Sequence, residues 1–153
     1  MSGEIEFQFK SPGDSPGYLL GQLTTLWQRR IKKVLDPLNL TQTQFVLMTA
    51  LAWLSKTNEA VTQVEIAEQS NADRMMVSKV LRTLEEKQFI SRHEHPTDTR
   101  AKVIKLTADG ANVLQKALTA VEQADMDFFS ALGSDLSGFN QNMSNLIESN
   151  KEG

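Results

Sequence analysis

Residues 74–107 read RMMVSKVLRTLEEKQFISRHEHPTDTRAKVIKLT, and two different periods meet in this stretch. Val77, Val80, Leu81 and Leu84 recur at helical spacing, an apolar stripe along a helix expected from Arg74 to Gln88. Met75, Ser78, Lys79, Arg82 and Glu86 fall on the other side. Beyond it, Ile90 to His95 and Ala101 to Leu106 read as two short strands. A charged turn, Pro96-Thr97-Asp98-Thr99-Arg100, joins them. A turn needs polar residues, but nothing about turning requires an acid and an arginine two apart.

The residues before this stretch supply its context. Thr62 and Glu65 form a capping box ahead of Val64, Ile66 and Ala67, which predicts a helix of two turns. Asn71-Ala72-Asp73 is a tight turn, with Asp73 placed to cap the helix that follows. Two short helices, a tight turn and a hairpin make the order of a winged helix-turn-helix. In such proteins the second helix enters the DNA major groove. Lys79 and Arg82 can donate to guanine or phosphate, Ser78 to either, and Met75 can lie against a thymine methyl. A plain amphipathic surface helix would show the same two faces, so the helix alone does not decide.

Further out, Ser15-Pro16 opens a helix in which Leu20, Leu23, Trp27, Ile31 and Val34 recur until Asp36-Pro37. Thr41 and Gln44 make a second capping box, before a mostly buried helix through Phe45, Leu47, Met48 and Leu51. Thr107 opens a long helix through Val113, Leu114, Ala117, Leu118, Val121 and Phe128. Gly133-Ser134 then breaks the chain before a last helix over 135–150. The expected fold class is mostly α with a small β-hairpin wing: a winged helix-turn-helix with flanking dimerisation helices. The expected parts are 1–38, an N-terminal segment and dimerisation helix; 39–107, the DNA-binding lobe; and 108–153, further dimerisation helices. The flanking helices are too long for the small lobe between them, which points to a homodimer.

Composition limits the alternatives. The 153 residues fit one domain, and 40% hydrophobic with 23% charged content is that of an ordinary soluble protein. No apolar run reaches the ~20 residues of a membrane span. The N-terminal stretch carries acids and lacks an apolar core, so no signal peptide is expected and the cytoplasm is the expected location. Without cysteine there is no thiolate metal site or thiol redox chemistry. The net charge of −3 argues against nucleic acid until its distribution is read. Residues 74–105 hold eight bases against four acids, whereas residues 109–153 hold two bases against seven acids. A basic face and an acidic remainder follow.

The same residues carry a family resemblance. Leu40-Thr41-Gln42-Thr43-Gln44-Phe45-Val46-Leu47 resembles the LTxxQFxxL helix of the MarR (multiple antibiotic resistance regulator) family of bacterial transcription factors. Residues 61–68 followed by 77–87 resemble its helix-turn-helix. Asp98-Thr99-Arg100 through Leu106-Thr107-Ala108-Asp109-Gly110 resembles its wing signature, D-x-R ending in L-T-x-x-G. The match covers about residues 18–132. Gln88 departs from it, standing where the family usually has a glycine at the end of the recognition helix, and Met75-Met76 is bulky for that helix's start.

By this resemblance the charged turn is the wing tip. Asp98 is expected to pair with Arg92 or Arg100 and stiffen the hairpin, Arg100 to enter the minor groove, and Lys102 to hold a phosphate. Arg74, Met75, Ser78, Lys79 and Arg82 complete the expected DNA-binding set. The function implied is a repressor that binds a pseudo-palindromic operator in double-stranded DNA and is released by a small aromatic or anionic effector. Family members bind phenolic or carboxylic compounds between the dimer helices and the DNA-binding lobe. Trp27, Arg30 and Trp53, with Tyr18 and Arg29, are the candidates to line that cavity, although core and dimer packing is the plainer role for both tryptophans. His93 and His95 share one side of a strand, but a metal site needs three or four ligands and no second cluster accompanies them. No metal or cofactor is expected. Nor is an enzyme, since no G-x-S-x-G, P-loop, H-E-x-x-H or cysteine nucleophile is present. The alternative is a winged-helix module used only for protein–protein assembly, which would not require bases on both the recognition face and the wing.

Overall fold

The computed structural model describes residues 3–151. Six helices and one hairpin follow in order: α1 (Pro16–Leu35), α2 (Gln42–Leu54), α3 (Gln63–Ser70), α4 (Arg74–Glu86), β1 (Ile90–Glu94), β2 (Lys102–Leu106), α5 (Ala108–Phe128) and α6 (Leu136–Ser149). Short 3-10 turns join α1 to α2 and α5 to α6.

The helix starts are those the sequence predicts. Both capping boxes are closed, Thr41 with Gln44 and Thr62 with Glu65. The Asp73 carboxylate accepts from the Met76 N–H at 3.0 Å and fixes where α4 begins. With the start fixed, burying Val77, Leu81 and Leu84 fixes the rotation of α4 about its axis. Those side chains meet Leu47, Met48 and Leu51 of α2, Ile66 of α3 and Ile104 of β2 in one core, to which α1 adds Ile31 and Leu35 and α5 adds Leu114 and Ala117. Each large aliphatic side chain fully buried there stabilises the fold by roughly 1.5–3 kcal/mol.

The end of α4 differs from the sequence expectation. The helix stops at Glu86, two residues early, and Gln88 adopts the left-handed conformation with φ of 66°. That is the backbone state for which glycine is favoured. Gln88 is held in it from the other side: its carbonyl accepts from the Thr107 hydroxyl at 2.7 Å. The same hydroxyl accepts from the Gly110 N–H at 2.9 Å and caps α5. Gly110 lies so close to the Phe89 carbonyl that a Cβ there would run into it. The L-T-x-x-G signature thus fastens the start of α5 to the turn between α4 and the wing.

The hairpin is antiparallel, pairing Ile90 with Leu106 and Glu94 with Lys102. Its strands are shorter than predicted, leaving His95 and Ala101 in the connecting turn. The Ile104 N–H also donates to the Val61 carbonyl at 2.8 Å, so the segment before α3 adds a single bridge to the sheet. The wing is thereby tied to the segment that leads into α3.

Candidate nucleic-acid interface

The stripe that seats α4 in the core turns Arg74, Met75, Lys79 and Arg82 out to solvent, with Ser78 half-buried between them. Met75 is 77% exposed, a large apolar side chain with no intrachain role. The Arg82 guanidinium lies 3.4 Å from the Ser78 hydroxyl, one turn back along the same face. Among the described residues, Arg74, Lys79 and Arg82 enter no ion pair. A helix face with three cations outside any ion pair is suited to a polyanion.

At the wing tip, the Asp98 carboxylate accepts from the Arg100 backbone N–H at 3.0 Å and lies 3.4 Å from the Arg100 side chain. The structure therefore selects Arg100, of the two arginines expected, as the partner of Asp98. The contact is loose. The Arg100 side chain is 91% exposed, and such a surface pair contributes only ~0–1 kcal/mol. Arg92 instead reaches back to α4, its Nε 3.3 Å from the Glu85 carboxylate. Neither Nε nor Nη2 of Arg92 has a well-aligned hydrogen-bond acceptor, so this is a charge contact between the wing's base and α4.

Three polar side chains have partners that residue pattern alone does not reveal. The Lys87 ammonium donates to the Asn39 carbonyl at 2.7 Å and to the buried Gln44 side chain at 3.0 Å. It belongs to the joint between α4 and α2 rather than to the basic face. His95 Nδ1 accepts from the backbone N–H groups of Asp98 at 3.0 Å and Thr97 at 3.2 Å, which shapes the wing turn. That acceptor role places the ring proton of neutral His95 on Nε2. Lys102 donates to the Glu94 carboxylate across the hairpin at 2.7 Å. The hydrogen bond and positive charge of Lys102 hold the Glu94 carboxyl below the ordinary glutamate value. Because the folded value is depressed, the pair persists at neutral and mildly acidic pH and is lost only as pH falls through that lowered value.

The candidates for a small-molecule site separate. Trp27 is half-buried, and its indole N–H donates to the Asp125 carboxylate at 2.8 Å, joining α1 to α5. The Arg30 guanidinium sits 5.7 Å over the Phe128 ring. Trp53 is 61% exposed on α2, with the Lys56 ammonium 4.7 Å over its ring, and Tyr18 lines a groove with Phe7 and Phe9. Trp53 is therefore not part of the chain's own core, and of the three candidates only Trp27 lines the cavity described next. A cavity of about 290 Å³ does adjoin Trp27, and Asp125 is the only ionisable residue in its wall.

Comparison with known proteins agrees with this geometry. The family model described as MarR family matches residues 40–102, from the capping box of α2 through the wing. The uncharacterized HTH-type transcriptional regulator YdcH of Bacillus subtilis is 44% identical over 128 residues, spanning 84% of this chain and 87% of that protein. Among solved structures, a mutant of E. coli MarR complexed with operator DNA superposes with a TM-score of 0.77 at 20% identity, covering 86% of this chain and 92% of that one. CouR of Rhodococcus jostii, bound to p-coumaroyl-CoA, gives a TM-score of 0.78 at 22% identity, with 91% and 94% covered. The winged helix-turn-helix, its motifs in order and the close relative lead to one conclusion: the chain belongs to the MarR family of transcription regulators.

Proposed function

We propose that the protein is a homodimeric repressor that binds a pseudo-palindromic operator and releases it when a small effector binds. The observation that carries the DNA reading is the exposed face of α4, where Arg74, Lys79 and Arg82 stand free of ion pairs. In this reading α4 lies in the major groove, with Met75, Ser78, Lys79 and Arg82 meeting base edges and Arg74 a phosphate. Arg100 enters the adjacent minor groove, and Lys102 exchanges Glu94 for a phosphate. Arg92 and Asp98 act indirectly, the first setting the wing against α4 and the second shaping its tip.

Residues 39–107 are the DNA-binding lobe, and residues 1–38 and 108–153 build the dimer. Supporting the dimer, Leu19, Leu20 and Leu26 of α1 and Leu146 and Ile147 of α6 are exposed in the single chain. A two-fold dimer presents two copies of α4 to half-sites about one helical turn of DNA apart. The effector reading draws on the cavity beside Trp27 and on the ligand-bound neighbour CouR.

Selection of bound duplexes from random DNA tests this function. The expected product is a site of two inverted half-sites. Recovered sites without two-fold symmetry, or no enrichment at low salt, would remove it.

A further inference from the structure

We propose that His95 is a positioning residue of the wing: its neutral ring holds the turn that presents Arg100 to DNA, and a second ring proton releases it. The inference deepens the DNA reading above and rests on it for its consequence, though not for the turn itself. The last pair of the sheet is Glu94 with Lys102, so no strand hydrogen bond orders residues 95–101. A relay of two side-chain acceptors orders them instead. His95 Nδ1 takes the Thr97 N–H at 3.2 Å and the Asp98 N–H at 3.0 Å. Between them and His95 stands Pro96, which has no N–H to satisfy and a φ fixed by its ring. With its backbone so placed, Asp98 takes the Arg100 N–H on its carboxylate at 3.0 Å and the Ala101 N–H on its carbonyl at 3.1 Å. The Arg100 side chain is almost wholly in solvent, so the backbone beneath it sets where it points.

The acceptor in such a turn is ordinarily the side-chain oxygen of Asn or Asp, which takes the N–H two residues on. Histidine Nδ1 stands as many bonds from its Cα as that oxygen does, so His95 fills the same place. The two differ in one respect. An amide oxygen accepts at any pH near neutrality, whereas an imidazole protonated on both nitrogens donates from both and accepts nothing. Histidine gains that proton between about pH 5 and 8. Doubly protonated, the ring would aim an N–H at two backbone N–H groups. The turn is therefore intact above that range and opens as pH falls through it. The other titratable and charged groups of the hairpin have their own partners: Glu94 is taken by Lys102 and Asp98 by Arg100, while His93 Nε2 lies 2.7 Å from the Ser91 hydroxyl. Lys105 stands opposite Ser91, toward the base of the hairpin.

The operator duplex recovered by the selection above is titrated by anisotropy with wild type, His95→Asn and His95→Ala, each with and without Arg100→Ala. At about pH 8, above most of the histidine range, His95→Ala should weaken binding. The loss should be about three- to tenfold, because the wing tip must then be ordered on binding. Arg100→Ala should add little to that loss, since the two residues act as one unit. His95→Asn should keep both the wild-type affinity and the full cost of Arg100→Ala. At about pH 6, that cost should shrink in wild type and hold constant in His95→Asn, a comparison in which His93 and overall charge are common to both. Nitrogen-15 relaxation of the free protein reads the turn without DNA: residues 97–100 should be rigid in wild type and His95→Asn and mobile in His95→Ala. Wild-type affinity in His95→Ala, losses that simply add, or failure of Asn to restore binding would each overturn the proposal. So would an Arg100→Ala cost that responds to pH alike in wild type and His95→Asn. If no operator is selected, the DNA reading fails by itself, and rigid residues 97–100 in His95→Ala would still show that His95 does not hold the turn.

Discussion

The lobe formed by α2 to β2 and the helices at the two ends of the chain handle their apolar residues in opposite ways. In the lobe, α4 buries Val77, Leu81 and Leu84, and β2 buries Val103 and Ile104. At the ends, α6 buries nothing, and α1 buries only Ile31 and Leu35 near its last turn. Both sets of helices are amphipathic, yet α1 and α6 leave far more of their apolar faces uncovered within the chain than α4 does. A period in sequence therefore reveals that a face is apolar without revealing whose face covers it. The lobe carries a charged outer surface over a closed core; α1 and α6 carry apolar side chains left in solvent, as the proposed dimer requires.

Breaking the lobe should have the largest effect. Leu81→Ala removes a fully buried side chain from the centre of the core and should cost about 2–5 kcal/mol, measured by urea denaturation. A midpoint unchanged from wild type would mean that α4 is not seated by its stripe. At the other pole, the double change Leu146→Glu and Ile147→Glu alters residues of α6 that are exposed in the single chain. Light scattering should then give one chain of 17.1 kDa instead of two, with circular dichroism preserved. Operator affinity should fall on the order of 10²-fold or more as the second half-site's contribution is lost. A variant that remains dimeric would place the interface elsewhere.

Smaller effects distinguish parts of the lobe's surface. Arg82→Ala should weaken the cognate site by about 1–3 kcal/mol and relax preference at one position per half-site, measured by anisotropy on a panel of substituted operators. Uniform weakening over the panel would assign Arg82 to the backbone instead. Glu94→Gln should tighten binding a few-fold at low salt by freeing Lys102, with the gain fading as salt rises. Weaker binding would mean that Glu94 is needed to position Lys102.

The sequence was most informative where one residue's chemistry suffices for the outcome. Thr41, Thr62, Asp73 and Thr107 cap their helices because a side-chain oxygen beside free backbone N–H groups has one good use. The stripe of α4 was legible for the same reason. The left-handed backbone at Gln88 was not, because it is held by Thr107, nineteen residues away. Arg92 choosing Glu85 over Asp98 is likewise a product of the hairpin's placement against α4, which spacing does not encode. Lys87 looked like part of the basic face, and only the fold brings its ammonium to the buried Gln44. Trp27 and Trp53 are alike as residue types, but one meets Asp125 across two helices and the other faces solvent.

If α4 reads bases while the wing holds the backbone and minor groove, as proposed, Arg100→Ala separates the two roles. Arg100 stands almost wholly in solvent at the wing tip, so its loss should leave the fold intact, which circular dichroism checks first. Operator and unrelated duplexes are then titrated across a range of salt concentrations. The expected result is weaker binding to both, little change in the ratio between them, and a log–log salt slope shallower by about 1. Binding indistinguishable from wild type across the whole salt range would contradict it.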